Sequence, residues 1–190
     1  MSDLAERRGV ETEVYQPAED SRLLADVAVD ELEADARVLE VGTGSGVVAE
    51  RVRNAGVNVV ASDLNPHACR QARERGVPVV RADLVAPFRD GAFDAVLFNP
   101  PYLPADPDAE RDDWLEVALT GGETGREVVE AFLDDVARVL APDGFVLLLV
   151  STLTGVEEVA EYAGDRGFSA VALRDESFPF ETLTVLKFVR

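Results

Sequence analysis

Cysteine and histidine each occur only once in this sequence of 190 residues, as Cys69 and His67. A single cysteine excludes an intramolecular disulfide and a zinc cluster built from cysteines, so no metal site is predicted. It also fits a reducing, cytoplasmic compartment, where disulfides are rare. We expect Cys69 to have a packing role and His67 to lie at the surface or cap of a helix, with neither residue in catalysis.

Lysine is almost absent as well. Lys187 is the only lysine, the other 17 basic residues are arginines, and 37 acidic residues bring the formal net charge to −19. The acidic residues are spread along the whole chain, and such a surface with almost no lysine resembles proteins of salt-loving archaea. We interpret the charge as mainly a solvated surface, the alternative being an acidic face for a basic partner. Taken alone, the charge disfavours nucleic acid as a partner.

Long apolar runs are missing. None approaches the roughly 18 residues of a membrane helix, and the longest, around Gly144–Val150, has the length of a buried strand. Met1–Gly9 carries charges of both signs without an apolar stretch, so neither a secretory signal nor a membrane association is predicted. A hydrophobic content of 47% is nevertheless enough for a core, and the length fits one domain over residues 1–190.

The sequence does contain a regular alternation of amphipathic helices and apolar strands. Helices are predicted at Ala18–Leu32, Val47–Ala55, Pro66–Arg75, from Thr124 to about Leu140, and at Val156–Asp165. Strands are predicted at Arg37–Val41, Val57–Ala61, Val77–Ala82, Phe93–Phe98, Phe145–Val150, Phe168–Leu173 and Leu183–Phe188. Asn65 before Pro66 is an N-cap signal, and capping boxes are predicted for Thr124 with Glu127 and for Thr154 with Glu157.

This alternation predicts an α/β fold with a seven-stranded, mostly parallel sheet and helices on both faces. The last two strands are joined only by Arg174–Thr182, which is too short for a parallel crossover, so they should pair antiparallel. Seven strands with a reversed terminal pair resemble the Rossmann-like methyltransferases. Residues 1–35 would form an N-terminal helical extension. The irregular insertion at 100–122 would lie at the carboxyl ends of the strands, where ligands bind in such sheets.

The first motif is a glycine loop, Glu40-Val-Gly-Thr-Gly-Ser-Gly46, between a predicted strand and a predicted helix. Glycines let the backbone pass close to a ligand and present N–H groups near a helix N-terminus. The spacing G-x-G-x-G differs from the G-x-G-x-x-G of dinucleotide-binding proteins, which disfavours NAD. No basic residue for a pyrophosphate lies nearby, and Glu40 suits a cationic ligand better.

Acidic residues end the next two predicted strands. Asp63 lies 21 residues after Gly42, close to the spacing of about 20 at which a carboxylate holds a ribose diol. The alternative for Asp63 is a helix-capping role, which Asn65 already fills. Asp83 follows the third strand, where its carboxylate can accept a hydrogen bond from an adenine amino group while Leu84 packs nearby.

The most specific motif is Asn99-Pro-Pro-Tyr102, directly after the fourth predicted strand. Two prolines restrict the backbone and remove two N–H donors, which leaves the Pro100 carbonyl as an acceptor. The Asn99 side chain supplies a second carbonyl oxygen. Two adjacent acceptors match the two N–H bonds of a planar amide or amine, which Tyr102 can cover. The alternative is a rigid turn at the end of a strand.

Together, these motifs resemble the class I S-adenosylmethionine-dependent methyltransferases that act on planar nitrogen. Val14-Tyr-Gln-Pro-Ala-Glu-Asp-Ser21 resembles the signature of the HemK-like protein glutamine methyltransferases, in the short branch found in archaea and eukaryotes. That branch lacks the separate N-terminal helical domain of the bacterial enzymes. The resemblance includes Gly121-Gly-Glu-Thr-Gly-Arg-Glu127 and the closing segment Glu181-Thr-Leu-Thr-Val-Leu-Lys-Phe188.

The resemblance implies S-adenosylmethionine as cofactor and, as substrate, the Gly-Gly-Gln glutamine of a class 1 translation release factor. The cofactor contacts that it implies are Tyr15, Ser21, Glu40, Gly42, Thr43, Gly44, Asp63, Leu64, Asp83, Leu84 and Asn99. The implied substrate contacts are Asn99, Pro100, Pro101 and Tyr102, with Asn99, Pro100 and Tyr102 as the catalytic set. Many relatives work with a small zinc-binding activator protein beside the third strand, here Val77–Arg81, an edge whose apolar run a partner would cover.

Other functions remain open at this point. N6-adenine methylation of nucleic acid uses the same logic at Asn99 to Tyr102, but neither a target-recognition region nor a basic groove is evident. Methylation of a protein lysine is a further alternative. A non-catalytic module with a retained cofactor pocket, or a nicotinamide oxidoreductase, fits the motifs less well. Trp114 in the insertion is interpreted equally as a lid, a substrate contact or a loop anchor.

Overall fold

A computed structural model describes Val14, residues 18–103 and residues 118–190. In this part of the chain the helices are α1 (Glu19–Glu31), α2 (Val47–Asn54), α3 (Pro66–Glu74), α4 (Glu127–Val139) and α5 (Val156–Gly164). The strands are β1 (Arg37–Val41), β2 (Asn58–Asp63), β3 (Val79–Arg81), β4 (Phe93–Phe98), β5 (Leu140–Ser151), β6 (Ser169–Ser177) and β7 (Thr182–Val189). None of these helices has both the length and the apolar character needed to cross a membrane.

The seven strands form one sheet in the order β3-β2-β1-β4-β5-β7-β6. The pairings from β3 through β5 are parallel, whereas β7 runs antiparallel to both β5 and β6. The predicted fold class and the antiparallel closing pair are therefore confirmed. The order reverses between β1 and β4, and the carboxyl ends of these two strands meet there, which is where ligands bind in open α/β sheets.

Two apolar clusters cover the two faces of the sheet. Alternate side chains of β5 point to opposite faces, so Leu147 packs with α1 and α2, whereas Leu148 packs with α4 and α5. Phe98 and Phe132 are buried against each other on the second face, with ring centroids 4.7 Å apart. Burial of each such side chain contributes roughly 1.5–3 kcal/mol to stability. Packing on both faces fixes the strands, and the strands position the loops at their carboxyl ends.

Several strand boundaries differ from the predictions, among them those of β3, β5 and β6. β5 begins at Leu140 rather than at Phe145, because Leu140 pairs with Phe93 before a register shift. β6 extends to Ser177, since its pairing with β7 continues beyond Leu173. β3 is shorter than predicted, because the Val77 N–H donates to the Ala72 carbonyl oxygen (3.0 Å) at the end of α3, and the buried Val77 side chain joins the core.

The predicted helix starts have mixed outcomes. Asn65 caps α3 through its side-chain oxygen, which accepts from the His67 N–H at 2.8 Å, as predicted. Thr124 is not the N-cap of α4: its N–H donates to the Glu127 carboxylate (3.0 Å), but its hydroxyl accepts from the Arg126 N–H (3.4 Å), and Arg126 takes the cap position.

The capping box of Thr154 with Glu157 is wrong. Gly155 is the N-cap of α5, and its backbone angle φ of 89° is one that few side chains tolerate. No side chain in the described part of the chain caps this helix start. The prediction fails because the turn before α5 has a different conformation from the extended N-cap that a capping box requires.

Candidate active site

A cavity of about 420 Å³ opens at the carboxyl edge of the sheet. The predicted site residues that line it are Ser21, Glu40, Gly42, Thr43, Gly44, Asp63, Leu64, Asp83, Leu84, Asn99, Pro100, Pro101 and Tyr102. They come from α1, from the last residues of β1 and β2, and from the loops after β1, β2, β3 and β4. Tyr15 and Trp114 lie outside the described residues. His67 does not line the cavity.

The glycine loop runs close against its neighbours, which explains two of its glycines. A Cβ at Gly42 would lie 3.2 Å from the Phe98 ring. A Cβ at Gly46 would lie 2.8 Å from the Ala72 Cα, and Gly46 has a positive φ of 84° that favours glycine in any case. The Thr43 N–H donates to the Ser62 carbonyl oxygen at 3.0 Å and ties the loop to β2.

Glu40 is a buried acid beneath this loop, with 3% of its surface exposed. One carboxylate oxygen accepts from the Thr43 hydroxyl (2.5 Å) and from the Ala49 N–H (3.0 Å). Burial raises the pKa of Glu40 from 4.5 to about 8, against the opposing effect of these two hydrogen bonds. Because burial disfavours the Glu40 anion, a cationic ligand in the cavity would favour loss of the Glu40 proton and then face a carboxylate with little competing hydration.

Asp63 links the end of β2 to the glycine loop. One of its oxygens accepts from the Gly44 N–H and the other from the Asn65 N–H, both at 2.8 Å. Burial raises the pKa of Asp63, while these backbone hydrogen bonds oppose the shift. Each carboxylate oxygen has a further lone pair, so Asp63 can accept from a diol while it holds the loop, a second role that its position in the sequence did not reveal.

Asp83 and Leu84 lie together at the cavity wall after β3. Asp83 is exposed, so its carboxylate is available to a ligand donor. Leu84 has a positive φ of 45°, a conformation that costs a non-glycine residue roughly 1–2 kcal/mol. Strained residues of this kind cluster where a ligand is held, which is consistent with the predicted role of this turn.

Asn99 directly follows β4, where the sheet order reverses. Its side-chain oxygen is buried and has no hydrogen-bond partner among the described residues. A buried acceptor without a donor costs about 1–3 kcal/mol, so this atom is poised for a ligand N–H. Pro100 and Tyr102 are buried beside it and line the same cavity.

The segment Gly121–Glu127 supports the wall that carries Asn99. The Leu103 N–H donates to the Leu119 carbonyl oxygen and the Gly121 N–H donates to the Leu103 carbonyl oxygen, both at 2.9 Å. A Cβ at Gly121 would lie 2.6 Å from the Pro101 carbonyl oxygen, so only glycine fits this approach. Both described ends of the 100–122 insertion are therefore fastened together beneath the cavity mouth.

Two cavity acids were not predicted as site residues. Asp20 is 3% exposed, and one of its oxygens accepts from the Ser21 N–H at 2.6 Å. Glu127 reaches the cavity from the start of α4. Asp20 lies in the motif Val14–Ser21 and Glu127 in the motif Gly121–Glu127, and the detectable signal for Asp20 was its place beside Ser21. Cys69, in contrast, is buried with its thiol 3.4 Å from the Asp63 carbonyl oxygen, and burial raises its pKa.

Residues 39–100 match the protein family described as "Methyltransferase domain". The chain is 36% identical over 181 residues to a protein from Methanocaldococcus jannaschii with the provisional name protein N5-glutamine methyltransferase, covering 92% of this chain and 90% of that one. It is 32% identical to the human methyltransferase HEMK2, covering 96% and 92%.

A solved complex gives the structural counterpart. The methyltransferase of the E. cuniculi Mtq2–Trm112 complex superposes with a TM-score of 0.80 at 32% identity, covering 94% of this chain and 99% of that one. The identity, the coverage and the cavity at the switch point of the sheet lead to one conclusion. The chain belongs to the HemK family of class I methyltransferases, whose cofactor is S-adenosylmethionine.

Proposed function

We propose that this chain methylates the side-chain amide nitrogen of the glutamine in the Gly-Gly-Gln loop of a class 1 translation release factor. The observation that carries the proposal is the buried side-chain oxygen of Asn99, which lacks a donor among the described residues and lines the cavity. The name of the M. jannaschii relative supports a glutamine substrate. The E. cuniculi complex is described as responsible for methylation of the termination factor eRF1, which supports the release factor.

The residues of the cavity fit S-adenosylmethionine, whose sulfonium methyl is a strong electrophile. Glu40 lies where a carboxylate favours the cationic methionine end, and Asp63 can accept from the ribose hydroxyls. Asp83 and Leu84 would hold the adenine, one by its carboxylate and the other by packing. Ser21 and Asp20 at the start of α1 also line the cavity, so the N-terminal extension would cover the bound cofactor.

Asn99 and Pro100 would orient the substrate. An amide nitrogen is a poor nucleophile because its lone pair is delocalised into the carbonyl. If its two N–H groups donate to the Asn99 side chain and the Pro100 carbonyl, the nitrogen is held towards the methyl donor, and its loss of a proton is favoured as charge develops. In-line placement at about 3–3.5 Å supplies several kcal/mol of the barrier. Tyr102 would cover the amide plane, and Pro101 would stiffen the turn.

Asn99→Ala tests this role directly. We expect methyl transfer to a Gly-Gly-Gln substrate to fall by about 100-fold or more, the usual loss when one preorganised catalytic hydrogen bond is removed. S-adenosylmethionine binding should stay within a few-fold of wild type. Asn54→Ala, at the exposed end of α2, is the matched control. Unchanged transfer by Asn99→Ala would refute the assignment.

We further infer that a small activator protein pairs with the exposed edge of β3. Val80 is 39% exposed there. The Pro78 carbonyl oxygen bonds to β2, so by the alternation of a parallel strand the backbone groups of Val79 and Arg81 point outward. Among the described residues, the exposed Arg73 side chain donates to the Val79 carbonyl oxygen, at 3.3 Å. The Trm112 partner in the E. cuniculi complex supports such a partner, and any bound zinc would belong to it.

The net charge of −19 is best explained by adaptation to high salt in the cytoplasm, where release factors act. Most described ion pairs use arginine and are exposed, as in Arg37–Asp94 (2.6 Å) and Arg75–Glu50 (3.0 Å). Such pairs contribute little each. The excess of acidic residues leaves repulsion between carboxylates, which these weak ion pairs do not offset and which dissolved salt would screen.

A further inference from the structure

The most exposed large apolar side chain in the described part of the chain is Phe180, at 68%, and Leu153 is 42% exposed. Phe180 lies in the turn between β6 and β7, and Leu153 in the turn between β5 and α5. Neither residue was assigned a role above. We call these two residues the rim patch.

The rim patch has a rigid base. The Thr152 N–H donates to the Thr182 carbonyl oxygen, and the Thr182 N–H donates to the Thr152 hydroxyl, both at 3.0 Å. Beneath them the Ser151 hydroxyl donates to the buried Glu181 carboxylate at 2.6 Å, and the Leu153 N–H donates to the Ser151 hydroxyl oxygen at 3.1 Å. The two turns are therefore held side by side, and their apolar side chains project from a fixed surface.

The rim patch is continuous with the edge that carries the active site. Phe98 of β4 pairs with Leu148 of β5, so Asn99 and the two prolines after it are level with the last residues of β5. Ser151 in turn pairs with Leu183 of β7. With neighbouring strands about 5 Å apart, the start of β7 lies about 10 Å to the side of β4.

A second connection runs through α4. The Arg126 side chain donates to the Thr154 carbonyl oxygen at 2.9 Å, in the turn that carries Leu153. Glu127, the next residue, lines the cofactor cavity. The rim patch and the cavity wall therefore belong to one continuous surface at the carboxyl edge of the sheet.

We propose that the rim patch docks an apolar side chain of the substrate protein, close to the loop that carries the methylated glutamine. The proposal rests on the proposed function, because a folded protein that delivers a glutamine to Asn99 must cover the neighbouring ends of β5 and β7. Glu157 and Glu158 are exposed in the first turn of α5, four and five residues after Leu153. The complementary surface is therefore an apolar side chain bordered by basic residues.

Kinetics on two substrates test the proposal. In the double variant Leu153→Ser/Phe180→Ser we expect the KM for an intact release factor to rise by about 10-fold or more. This is the affinity that burial of one large apolar side chain in the complex contributes. The kcat, the KM for S-adenosylmethionine and the KM for a short Gly-Gly-Gln peptide should stay unchanged. Val171→Ser, a 51% exposed residue on β6, is the matched control. An unchanged KM for the intact factor overturns the proposal.

A labelling experiment follows docking without catalysis. Because Cys69 is buried, a thiol-reactive, environment-sensitive fluorophore should label the new exposed cysteine in Phe180→Cys and leave Cys69 unlabelled. Val171→Cys, labelled in the same way, is the control. Release factor should change the emission at position 180 and leave position 171 unchanged. A change that follows the concentration of the chain itself would identify a second copy as the occupant and overturn the proposal.

If wild type methylates the release factor and both tests fail, only the docking proposal is refuted. If wild type does not methylate the release factor, the proposed function is refuted as well.

Discussion

Replacing Glu40 with glutamine removes a buried titratable carboxyl that hydrogen bonds hold beneath the glycine loop. Glutamine has nearly the same shape, and its side-chain oxygen can still accept from the Thr43 hydroxyl and the Ala49 N–H, as the carboxylate does at 2.5 and 3.0 Å. The packing of this 3% exposed residue is therefore retained, and what changes is the ability to lose a proton.

The size of the effect follows from the pKa of Glu40, about 8 in the folded chain against 4.5 as its ordinary value. Between these values the folded state binds one proton more than the unfolded state, so the free energy of unfolding falls as the pH rises. The slope is at most about 1.4 kcal/mol per pH unit, and it flattens as the pH approaches 8, which gives a loss of roughly 2–3 kcal/mol from pH 5.5 to 7.5. Glu40→Gln lacks this contribution, and Asp63 is present in both proteins.

Thermal and urea unfolding across this range measure the difference. The Tm of Glu40→Gln minus the Tm of wild type should increase by about 5–10 °C as the pH rises from 5.5 to 7.5, given roughly 2–4 °C per kcal/mol for a chain of this size. Calorimetry in two buffers adds a second measurement. Binding of cationic S-adenosylmethionine at pH 7 should release close to one proton in wild type and fewer in Glu40→Gln, since the cation favours the Glu40 anion. Parallel pH profiles for the two proteins would refute the reasoning.

Three further predictions follow. Gly46→Ala should destabilise the chain by about 3 kcal/mol or more, because strain of about 1–2 kcal/mol at positive φ adds to the close contact with Ala72. In the control Gly56→Ala, φ is 93° and no described atom lies within 4 Å of a new Cβ, so the free energy of unfolding should fall by the strain alone. Urea unfolding measures both. Val80→Asp should abolish co-purification with the activator protein, whereas Val171→Asp should not. If both variants retain the activator protein equally, the β3 edge is not its binding site. The free energy of unfolding should rise as KCl increases from about 0.1 to 1 M, because the Debye length shrinks from about 10 to 3 Å, and a fall with salt would contradict the interpretation of the acidic surface.

The sheet and most of the candidate site could be predicted because their signals are local. Apolar runs separated by helices specify parallel strands, and motifs at the ends of such strands must meet at one edge. Glu40, Asp63, Asp83 and Asn99 therefore line one cavity although they are far apart in the chain. The N-cap at Asn65 is equally local, since its partner is two residues away.

Two of the features that escaped prediction, the start of β5 and the turn before α5, depend on residues far away in the chain. Leu140 extends β5 because it pairs with Phe93, which precedes it by 47 residues. The turn before α5 is held by Ser151 and Glu181, 30 residues apart, so the local Thr-x-x-Glu pattern does not decide its shape. Long-range packing of this kind overrides a local propensity worth about 1 kcal/mol.

The most direct measurement of the central claim is the position of the transferred methyl group. The wild-type chain is incubated with a class 1 release factor and isotope-labelled S-adenosylmethionine, and the product is sequenced by tandem mass spectrometry beside a reaction with Asn99→Ala. We predict one label on the side-chain nitrogen of the Gly-Gly-Gln glutamine, lost in Asn99→Ala. A label on a lysine or on nucleic acid instead, or equal labelling by Asn99→Ala, would contradict the account.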